Sequence, residues 1–464
     1  MVDKSAKDDE IQIEKKIFMN KIKIAWWFSL FVLSAVWIVT DPGIFTTREV
    51  IPLRNLLVQY SGILAVGWMS LAICLSVRPK FSETWFGGLD KMYRLHKWLG
   101  ISVVVVSFFH WCMSKAPRWA TELGLLVHRK RGPRPHATNQ FGDWLSSHRG
   151  LAETVGEWMF YGTLILIGIA LFKKISYRSF YKTHRLFALI YLGLVFHTII
   201  LTKISYWISP VGLVIFPLLV GGVVSAFLSL FKKIGVLRQG YGKIENIEYF
   251  PGVKALEVVI KDIRGWGGHK PGQFAYVTSQ IEEGHHPFTI ASSWKENDAK
   301  ITFIIKELGD YTGSLKESLH VGQTMWIEGP YGCFTFDDNC PIQVWLSGGV
   351  GITPFIARMK YLSETKTSTT QTIYLFHSAA QADEGAFAKL TADAKSAGVH
   401  LHIFVDVQGD RLSGEKIREL VKDWRESSFW FCGPLGLGNA LKADFAKKGE
   451  PINQRFRQEL FDMR

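Results

Sequence analysis

Four histidines lie inside two strongly apolar stretches of this chain. YRLHKWLGISVVVVSFFHW carries His96 and His110, fourteen positions apart, and THRLFALIYLGLVFHT carries His184 and His197, thirteen apart. A single histidine of this kind is readily explained as a buried imidazole that hydrogen-bonds to a neighbour. Two matched pairs favour a metal or cofactor site, because ionisable residues in membrane segments are costly and usually functional.

The histidine-bearing stretches belong to a larger set of apolar runs. Hydrophobic residues make up 48% of the 464 residues, and 17 residues are tryptophan, more than a soluble protein of this length usually holds. Since about 20 helical residues cross a bilayer, the runs without Asp, Glu, Lys or Arg predict six transmembrane helices. These runs are Ile24–Thr40, Asn55–Val77, Trp98–Ser114, Trp158–Phe172, Leu186–Thr202 and Ile204–Phe231.

The directions of these helices predict that the histidines lie at two depths. The third and fifth helices run the same way, because the fourth returns the chain between them. His96 and His184 are expected at one depth, near the cytoplasm, and His110 and His197 about 20 Å further along. Two facing imidazoles at each depth would suit two b-type haems, whose iron then favours electron transfer over ligand binding. The alternative is four buried structural histidines.

The two spacings fit a regular helix unequally. At about 100° per residue, fourteen positions come within about 40° of whole turns, whereas thirteen miss by about 140°. The fifth helix is therefore expected to be wound differently at some point, for example near Gly193, or the two haems to use different helix faces.

The net charge of +13 is distributed as in a membrane protein rather than a nucleic-acid-binding one. Basic residues flank the apolar runs in KKIFMNKIK, KKISYRSFYKTHR and FKKIGVLR. The positive-inside tendency then predicts a multi-pass plasma or inner membrane protein with its N-terminus and C-terminal half in the cytoplasm. The N-terminal residues do not resemble a signal peptide, so the first helix is expected to direct insertion. The basic stretch LLVHRKRGPRPH falls on the outer side, in a long loop that weighs less on orientation.

Other metal sites are not indicated. The five cysteines are widely separated and no pair has CxxC spacing, so neither a zinc or iron–sulfur site nor a disulfide framework is expected. The sequence also lacks a D-x-D-x-D-G calcium loop.

The residues after the last apolar run alternate short apolar segments with turn residues, which is typical of β-strands. They include KPGQFAYVTSQIEEGHHPFTIASSW, which resembles the ferredoxin-reductase-like flavoprotein fold. Together with the histidine pairs, this resemblance becomes specific. The chain after about residue 20 is identified as a bacterial-type member of the NADPH oxidase and ferric reductase superfamily.

The resemblance implies an FAD site around the motif HPFT, which is formed by His286, Pro287, Phe288 and Thr289. There the backbone and the Thr289 side chain would approach the flavin ring and the ribityl chain. The segment LGDYTGSL would receive the pyrophosphate through backbone amides and the Thr312 hydroxyl. The competing interpretation of HPFT is an ordinary strand. Further candidate FAD-binding residues are Gln273, Phe274, Ser292 and Gly313.

The stretch VWLSGGVGITPF is an apolar strand followed by a glycine-rich turn, which permits close approach of the backbone to a pyrophosphate. Its position between HPFT and WFCGPLGLG follows the family order. Cys432 is implied beside the nicotinamide, with an inert core thiol as the alternative. The aromatic residue that covers the flavin is implied at Phe461, or else at Phe456. The other candidate nucleotide-binding residues are Gly348, Gly349, Gly351, Thr353, Pro354, Gly433 and Pro434.

Two positions depart from the family pattern. NADP-specific relatives often have Ser-Arg or Cys-Arg at the end of the strand after the glycine turn, where the pair holds the 2′-phosphate. In this chain the corresponding stretch is LFHSAAQADEG, in which His377 and Ser378 are not followed by an arginine. NADPH is therefore favoured over NADH only weakly. Animal oxidases often carry a further histidine one turn after the outer haem ligand, where this chain has Ser114.

The resemblance implies a six-helix transmembrane bundle followed by an FAD-binding antiparallel β-barrel and an α/β nucleotide-binding domain. The predicted bounds are 1–21 for a charged cytoplasmic segment, 22–233 for the di-haem domain, 236–338 for the FAD domain and 341–464 for the NAD(P)H domain. Such an enzyme would move electrons from cytoplasmic NAD(P)H through FAD and two b-type haems to an outer acceptor.

Three kinds of outer acceptor are compatible with the sequence. Dioxygen, which would give superoxide, is favoured. Ferric or cupric chelates are the first alternative, because Arg129, Lys130, Arg131 and Arg134 of the long outer loop could attract anionic complexes. The second alternative is an outer-side partner protein or quinone. Membrane lipid would surround the helices, and no nucleic acid is expected.

Overall fold

In a computed structural model, the structure describes residues 3–125, 140–171, 177–279, 285–365, 371–448, 452 and 455–459. The chain divides into two compact units. One is formed mainly by Met19–Phe86 and Lys91–Ile234, and the other mainly by the residues from Gly235 onward. The first unit is helical, and the second contains two β-sheets.

The first unit contains the helices that the apolar runs predict. Among the described residues, six helical segments are long and apolar enough to cross a membrane, which confirms the prediction. Large apolar side chains such as Phe31, Val105 and Leu213 are exposed on their surfaces, as expected of faces that meet lipid. The helices are α1 (Asp3–Thr40), α2 (Val50–Ser76), α3 (Lys80–Phe86), α4 (Leu89–Glu122), α5 (Gln140–Leu171), α6 (Tyr177–His184), α7 (Phe187–Leu201), α8 (Ile204–Trp207) and α9 (Pro210–Leu230).

The fifth span is interrupted between its two histidines. α6 ends at His184 and α7 begins at Phe187, and three amides within residues 186–189 donate to carbonyls three positions earlier. Such three-residue turns rotate the chain by about 120° per residue instead of about 100°. They therefore offset part of the mismatch in the thirteen-residue spacing. The predicted change of winding is present, but it lies at this junction rather than near Gly193, where α7 is continuous.

The FAD-type domain is a curled antiparallel sheet with the strand order β4-β3-β6-β1-β2-β5. A bridge between Ile290 and Phe303 joins the residue after β4 to β5, so the sheet curls towards closure, in agreement with the predicted barrel. Its interior is filled by buried side chains such as Val258, Ile260 and Ile327. The elements are β1 (Gln239–Phe250), β2 (Ala255–Arg264), β3 (Phe274–Thr278), β4 (His286–Thr289), β5 (Ile301–Lys306), α10 (Asp310–Ser318) and β6 (Thr324–Tyr331).

The nucleotide-type domain is a parallel sheet with the strand order β11-β10-β7-β8-β9. The central strands β7 and β10 are almost entirely buried, as in sheets covered by helices on both faces. The order reverses between them, which is where open α/β sheets bind ligands. The elements are β7 (Ile342–Gly348), α11 (Thr353–Thr365), β8 (Thr372–Ala379), α12 (Glu384–Ala397), β9 (His400–Val405), α13 (Gly414–Leu420), β10 (Ser427–Cys432), α14 (Leu435–Lys447) and β11 (Phe456–Gln458).

Candidate haem, flavin and nucleotide sites

The four membrane histidines meet in the pairs that the sequence predicts. The ring centroids of His96 and His184 lie 6.0 Å apart, and those of His110 and His197 lie 6.2 Å apart. A metal–imidazole bond of about 2 Å places a metal about 3 Å from each ring centroid, so two axial imidazoles on one ion stand about 6 Å apart. Both separations therefore fit a metal held between two imidazoles.

In three of the four histidines, Nδ1 donates a hydrogen bond to a backbone carbonyl, which leaves Nε2 available for a metal. Nδ1 of His96 donates to the Ala72 carbonyl (2.9 Å), and Nδ1 of His110 donates to the Val58 carbonyl (3.1 Å). The two carbonyls are fourteen residues apart on α2, like the two histidines on α4, so one antiparallel helix supports both. Nδ1 donation leaves Nε2 as the lone-pair nitrogen, the arrangement usual for metal-bound histidine.

The histidines of the fifth span differ in this support. Nδ1 of His197 donates to the Ala152 carbonyl of α5 at 2.8 Å. Nδ1 of His184 is buried and has no hydrogen-bond partner among the described residues. Its ring instead lies between Phe180, stacked at 5.0 Å, and Phe187, edge-on at 5.1 Å. His184 is therefore held by aromatic packing.

Two glycines provide the space for the second pair. A Cβ on Gly156 of α5 would lie 2.0 Å from Nδ1 of His197, and one on Gly62 of α2 would lie 3.3 Å from Cε1 of His110. Real Cβ atoms do not approach other atoms to 2.0 Å. The His197 ring can occupy its position only because residue 156 lacks a side chain.

The chemistry of the donors fits haem better than a bare metal ion. Within the described residues there is no group of three or more His, Cys, Asp or Glu side chains that could hold a metal ion. A site with two imidazoles and no third protein ligand suits a metal whose remaining ligands come from a macrocycle. The residues present therefore fit b-type haem at both pairs.

The predicted flavin residues form one edge of the curled sheet. HPFT is strand β4, which pairs antiparallel with β3, and Phe274 lies opposite Thr289. The His286 ring stacks on Tyr311 at 3.6 Å, which brings HPFT against the first turn of α10. Burial, and then the adjacent His285, lower the pKa of His286 to about 4, so this ring is neutral at pH 7.

Several predicted flavin residues support the backbone with their side chains. Gln273 accepts from the Lys270 amide and donates to the Gly332 carbonyl. Ser292 accepts from the Thr302 amide, and Phe274 is buried in the core. The Thr312 hydroxyl accepts from the Leu308 amide at 2.8 Å and so holds the turn before α10. Gly313, in the first turn of α10, is exposed.

The predicted nucleotide residues meet where the strand order reverses. A Cβ on Gly351 would lie 2.1 Å from the Cys432 carbonyl, one on Gly433 would lie 2.8 Å from the Gly348 amide, and one on Gly348 would lie 2.7 Å from Pro434. Only glycines allow the turns after β7 and β10 to pack at these distances. The turns together lie at the position where sheets of this kind bind ligands.

The start of α11 and the left-handed glycine before it lie at the same position. Pro354 lies in the first turn of α11, as predicted, and the Thr353 hydroxyl donates to the Val350 carbonyl at 2.6 Å. Gly349 adopts a φ of +55°, and a Cβ there would lie 3.4 Å from Nζ of Lys306. Lys306, which the sequence interpretation missed, therefore brings a positive charge to the glycine turn.

The C-terminal candidates have different outcomes. Cys432 is only 1% exposed, and burial, followed by the Glu459 carboxylate, raises the pKa of its thiol well above the usual value. It is thus a neutral thiol at these turns. Phe456 lies in the core and stacks on Phe431, so the alternative assignment of Phe456 as the flavin cover is wrong. Phe461 lies outside the described residues, as do Arg129, Lys130, Arg131 and Arg134 of the outer loop.

Comparison with known protein families agrees with this architecture. Residues 61–195 match the family of ferric reductase like transmembrane components, and residues 243–335 match an FAD-binding domain family. Two parts of the chain therefore resemble, in order, a ferric reductase like transmembrane component and an FAD-binding domain.

Curated relatives match parts of this chain. The ferric/cupric reductase transmembrane component 2 of Saccharomyces cerevisiae is 25% identical over 70% of this chain and 42% of its own length. The reductase component of propane 2-monooxygenase from Rhodococcus jostii is 28% identical over 24% of this chain and 30% of its own length. A solved ferredoxin reductase of carbazole 1,9a-dioxygenase is 17% identical, covers 48% of this chain and 69% of its own, and has a TM-score of 0.41. The chain spans less than half the length of either curated relative.

Proposed function

We propose that this protein moves electrons across a membrane, from NAD(P)H on the cytoplasmic side to an acceptor on the outer side. The observation that supports it most is the two histidine pairs, each about 6 Å apart and separated by about 21 Å along α4. When bound, FAD takes two electrons as hydride and releases them singly, and b-type haems carry single electrons.

The protein's own residues hold these groups and set their environment. His96 with His184, and His110 with His197, would each bind one haem iron through Nε2. The carbonyls of α2 and α5 fix three of the four rings and would hold them in place for a bound iron. The basic segments next to the helices support a cytoplasmic position for the FAD and nucleotide domains.

The crevice between β7 and β10 would receive the nicotinamide nucleotide. Its glycine turns admit a pyrophosphate, and the Lys306 ammonium beside Gly349 adds positive charge. Ser347 and His377 hydrogen-bond at 2.9 Å below the turn, and burial with the Lys306 charge lowers the pKa of His377 to about 4. His377 is then neutral and serves as a support for the turn.

The neighbourhood of Ser378 favours NADH, contrary to the weak preference for NADPH drawn from the sequence. Oγ of Ser378, at the end of β8, lies 3.5 Å from a carboxylate oxygen of Asp406, which follows β9. A carboxylate at the adenosine end of such a sheet accepts from the ribose 2′-hydroxyl of NADH and repels a 2′-phosphate. The sequence also lacks an arginine after Ser378.

Dioxygen remains the acceptor predicted first, and one contact supports it. Arg54 donates through Nε to the Met113 carbonyl (2.6 Å) and through Nη2 to the Ser114 carbonyl (2.7 Å). This brings a positive charge to the turn after His110, where it would stabilise superoxide formed at the haem edge. Ferric or cupric chelates are the second candidate, supported by the similarity to the yeast ferric/cupric reductase over 70% of the chain.

The test is anaerobic reduction of the purified protein, followed by admission of an acceptor. NADH should reduce two bis-imidazole b-type haems per chain. Superoxide-dismutase-sensitive reduction of cytochrome c in air would support dioxygen, and colour from a ferrous chelator under nitrogen would support ferric complexes. Protein that is made with ample haem and contains none would refute the proposal.

A further inference from the structure

A cavity of about 250 Å³ opens between the last turns of α4 and the middle of α5. Trp111, which lines it, follows the histidine of the outer pair on α4. Glu157, which also lines it, follows Gly156, the residue that makes room for His197. The cavity therefore adjoins both helices that position the outer histidine pair.

The size of the cavity exceeds what dioxygen requires. At about 30 Å³ per water in the liquid, it would hold about eight waters. A substituted six-membered ring fits this volume. The volume is therefore sufficient for a small organic molecule.

Three aromatic side chains, Trp111, Trp119 and Tyr161, form part of the cavity wall. Trp111 meets Trp119 edge-on, with ring centroids 5.5 Å apart, and Tyr161 edge-on at 6.4 Å. Trp111 is itself stacked on Phe160 at 5.7 Å, which fixes its plane. Rigid aromatic faces of this kind favour a flat ligand.

The polar groups of the cavity form a hydrogen-bonded network with balanced charge. Lys115 pairs with Glu157 at 2.8 Å, and the Tyr161 hydroxyl donates to the same carboxylate at 2.7 Å. Arg118 pairs with Glu122 at 2.8 Å. The two positive and two negative side chains that line the cavity balance in charge, and the Lys115 ammonium keeps N–H groups, beyond the one that it shares with Glu157, that can donate to a carbonyl oxygen.

We propose that this cavity binds a quinone, as a second acceptor beside dioxygen; this inference rests on the proposed transmembrane electron transfer. The reduction consumes two electrons, delivered one at a time from NAD(P)H, and two protons. Both C=O bonds of the quinone become C–OH as the ring turns aromatic. The Lys115 ammonium would donate one of its remaining N–H groups to one oxygen, and the Tyr161 hydroxyl would turn from Glu157 to the other. Both groups would deliver their protons to the reduced quinone and recover them from water at the open mouth of the cavity.

The test uses Tyr161→Phe and Lys115→Met in the full-length protein, with Tyr60→Phe as the matched control. The Tyr60 hydroxyl pairs with Ser34 outside the cavity, so its loss changes the same chemistry elsewhere. The probe is menadione. Its binding is measured without nucleotide by quenching of tryptophan fluorescence, and its reduction is measured under nitrogen with NADH.

Each cavity variant should weaken menadione binding and raise its KM by about tenfold, the effect of losing one hydrogen bond to a charged or strongly polar donor. Haem content, haem reduction and oxygen consumption should stay at the level of Tyr60→Phe. Unchanged quenching and KM in both variants would overturn the quinone site. If the haems were not reduced by NADH at all, the proposed function would fail, while the binding measurement would still decide the site.

Discussion

Replacement of Gly156 by alanine should remove one haem and spare the other. The new Cβ would lie 2.0 Å from Nδ1 of His197, about 1.4 Å closer than an ordinary contact allows. The ring must therefore turn away, which breaks its 2.8 Å hydrogen bond to the Ala152 carbonyl and misdirects Nε2. His96 and His184 lie at the other depth and are untouched.

The magnitude follows from the role of that hydrogen bond. Loss of the partner of a metal-bound histidine usually lowers metal affinity by about 10- to 100-fold, or about 1.4 to 2.7 kcal/mol. The displaced Nε2 adds to this loss. A glycine-to-alanine change inside a helix also raises helix propensity by about 1 kcal/mol, which offsets part of the cost of the contact with His197.

The assay is haem per polypeptide, measured as the pyridine haemochromogen of purified protein. We expect about two for the natural protein and about one for Gly156→Ala. Gly150→Ala is the control, since it lies on the same helix and its Cβ meets nothing within 4 Å. Gly62→Ala, at 3.3 Å from His110, should give an intermediate loss. Two haems retained in Gly156→Ala would refute the assignment of His197 as a ligand.

Three further predictions concern the FAD and nucleotide domains. Asp406→Ser should lower the KM for NADPH by about tenfold relative to the KM for NADH, because one like-charge contact with the 2′-phosphate is lost. The control variant Asp410→Ser should leave the ratio of the two KM values unchanged. An unchanged ratio in Asp406→Ser would argue against a role for Asp406. Because burial raises the pKa of Cys432, its thiol should resist alkylation by iodoacetamide up to about pH 9, while the exposed Cys333 reacts. Peptide mass spectrometry measures the labelling of each cysteine. Equal labelling of the two would contradict this prediction. Burial lowers the pKa of His269 from 6.5 to about 4. Between these two pH values the folded state binds fewer protons than the unfolded state. The free energy of unfolding should therefore fall by about 3 kcal/mol as the pH is lowered from 6.5 to 4. His269→Gln should flatten that dependence in thermal unfolding, and an identical slope would exclude the residue.

The sequence predicts the pairing of the histidines because the information is local. Runs without charges locate the spans, and the position of each histidine along its span determines its depth. The fourteen-residue spacing on α4 nearly matches whole turns, so both rings share a face. After Gly235, the alternation of apolar and polar residues predicts the strands of the two sheets, and the glycine-rich turn predicts the nucleotide domain. Both patterns depend on residues that are close together in the chain.

Other features depend on residues that are distant in sequence. The break of the fifth span after His184 is not marked by a glycine or proline in the sequence. The need for a residue without a side chain at position 156 becomes visible only in the structure, where the His197 ring lies beside Gly156. The supporting carbonyls of Val58 and Ala72 share the fourteen-residue spacing of the α4 histidines, but a backbone carbonyl leaves no trace in the sequence.

The nucleotide site shows the same limit. The glycines of the turn after β7 are recognisable from their order, because close backbone approach demands them. Asp406 lies 28 positions from Ser378, and only the parallel pairing of β8 with β9 brings the two side chains together. A preference inferred from the residues next to Ser378 therefore omits the Asp406 charge, on which we propose that the preference depends.

The most direct test of transmembrane electron transfer is a measurement on sealed proteoliposomes. Ferricyanide is trapped inside under nitrogen, and NADH, which does not cross the bilayer, is added outside. The account predicts that the trapped ferricyanide is reduced and that His110→Leu abolishes this reduction while flavin reduction persists. If the trapped ferricyanide stays oxidised while ferricyanide added outside is reduced, electrons do not cross the membrane through this chain, and the central claim is wrong.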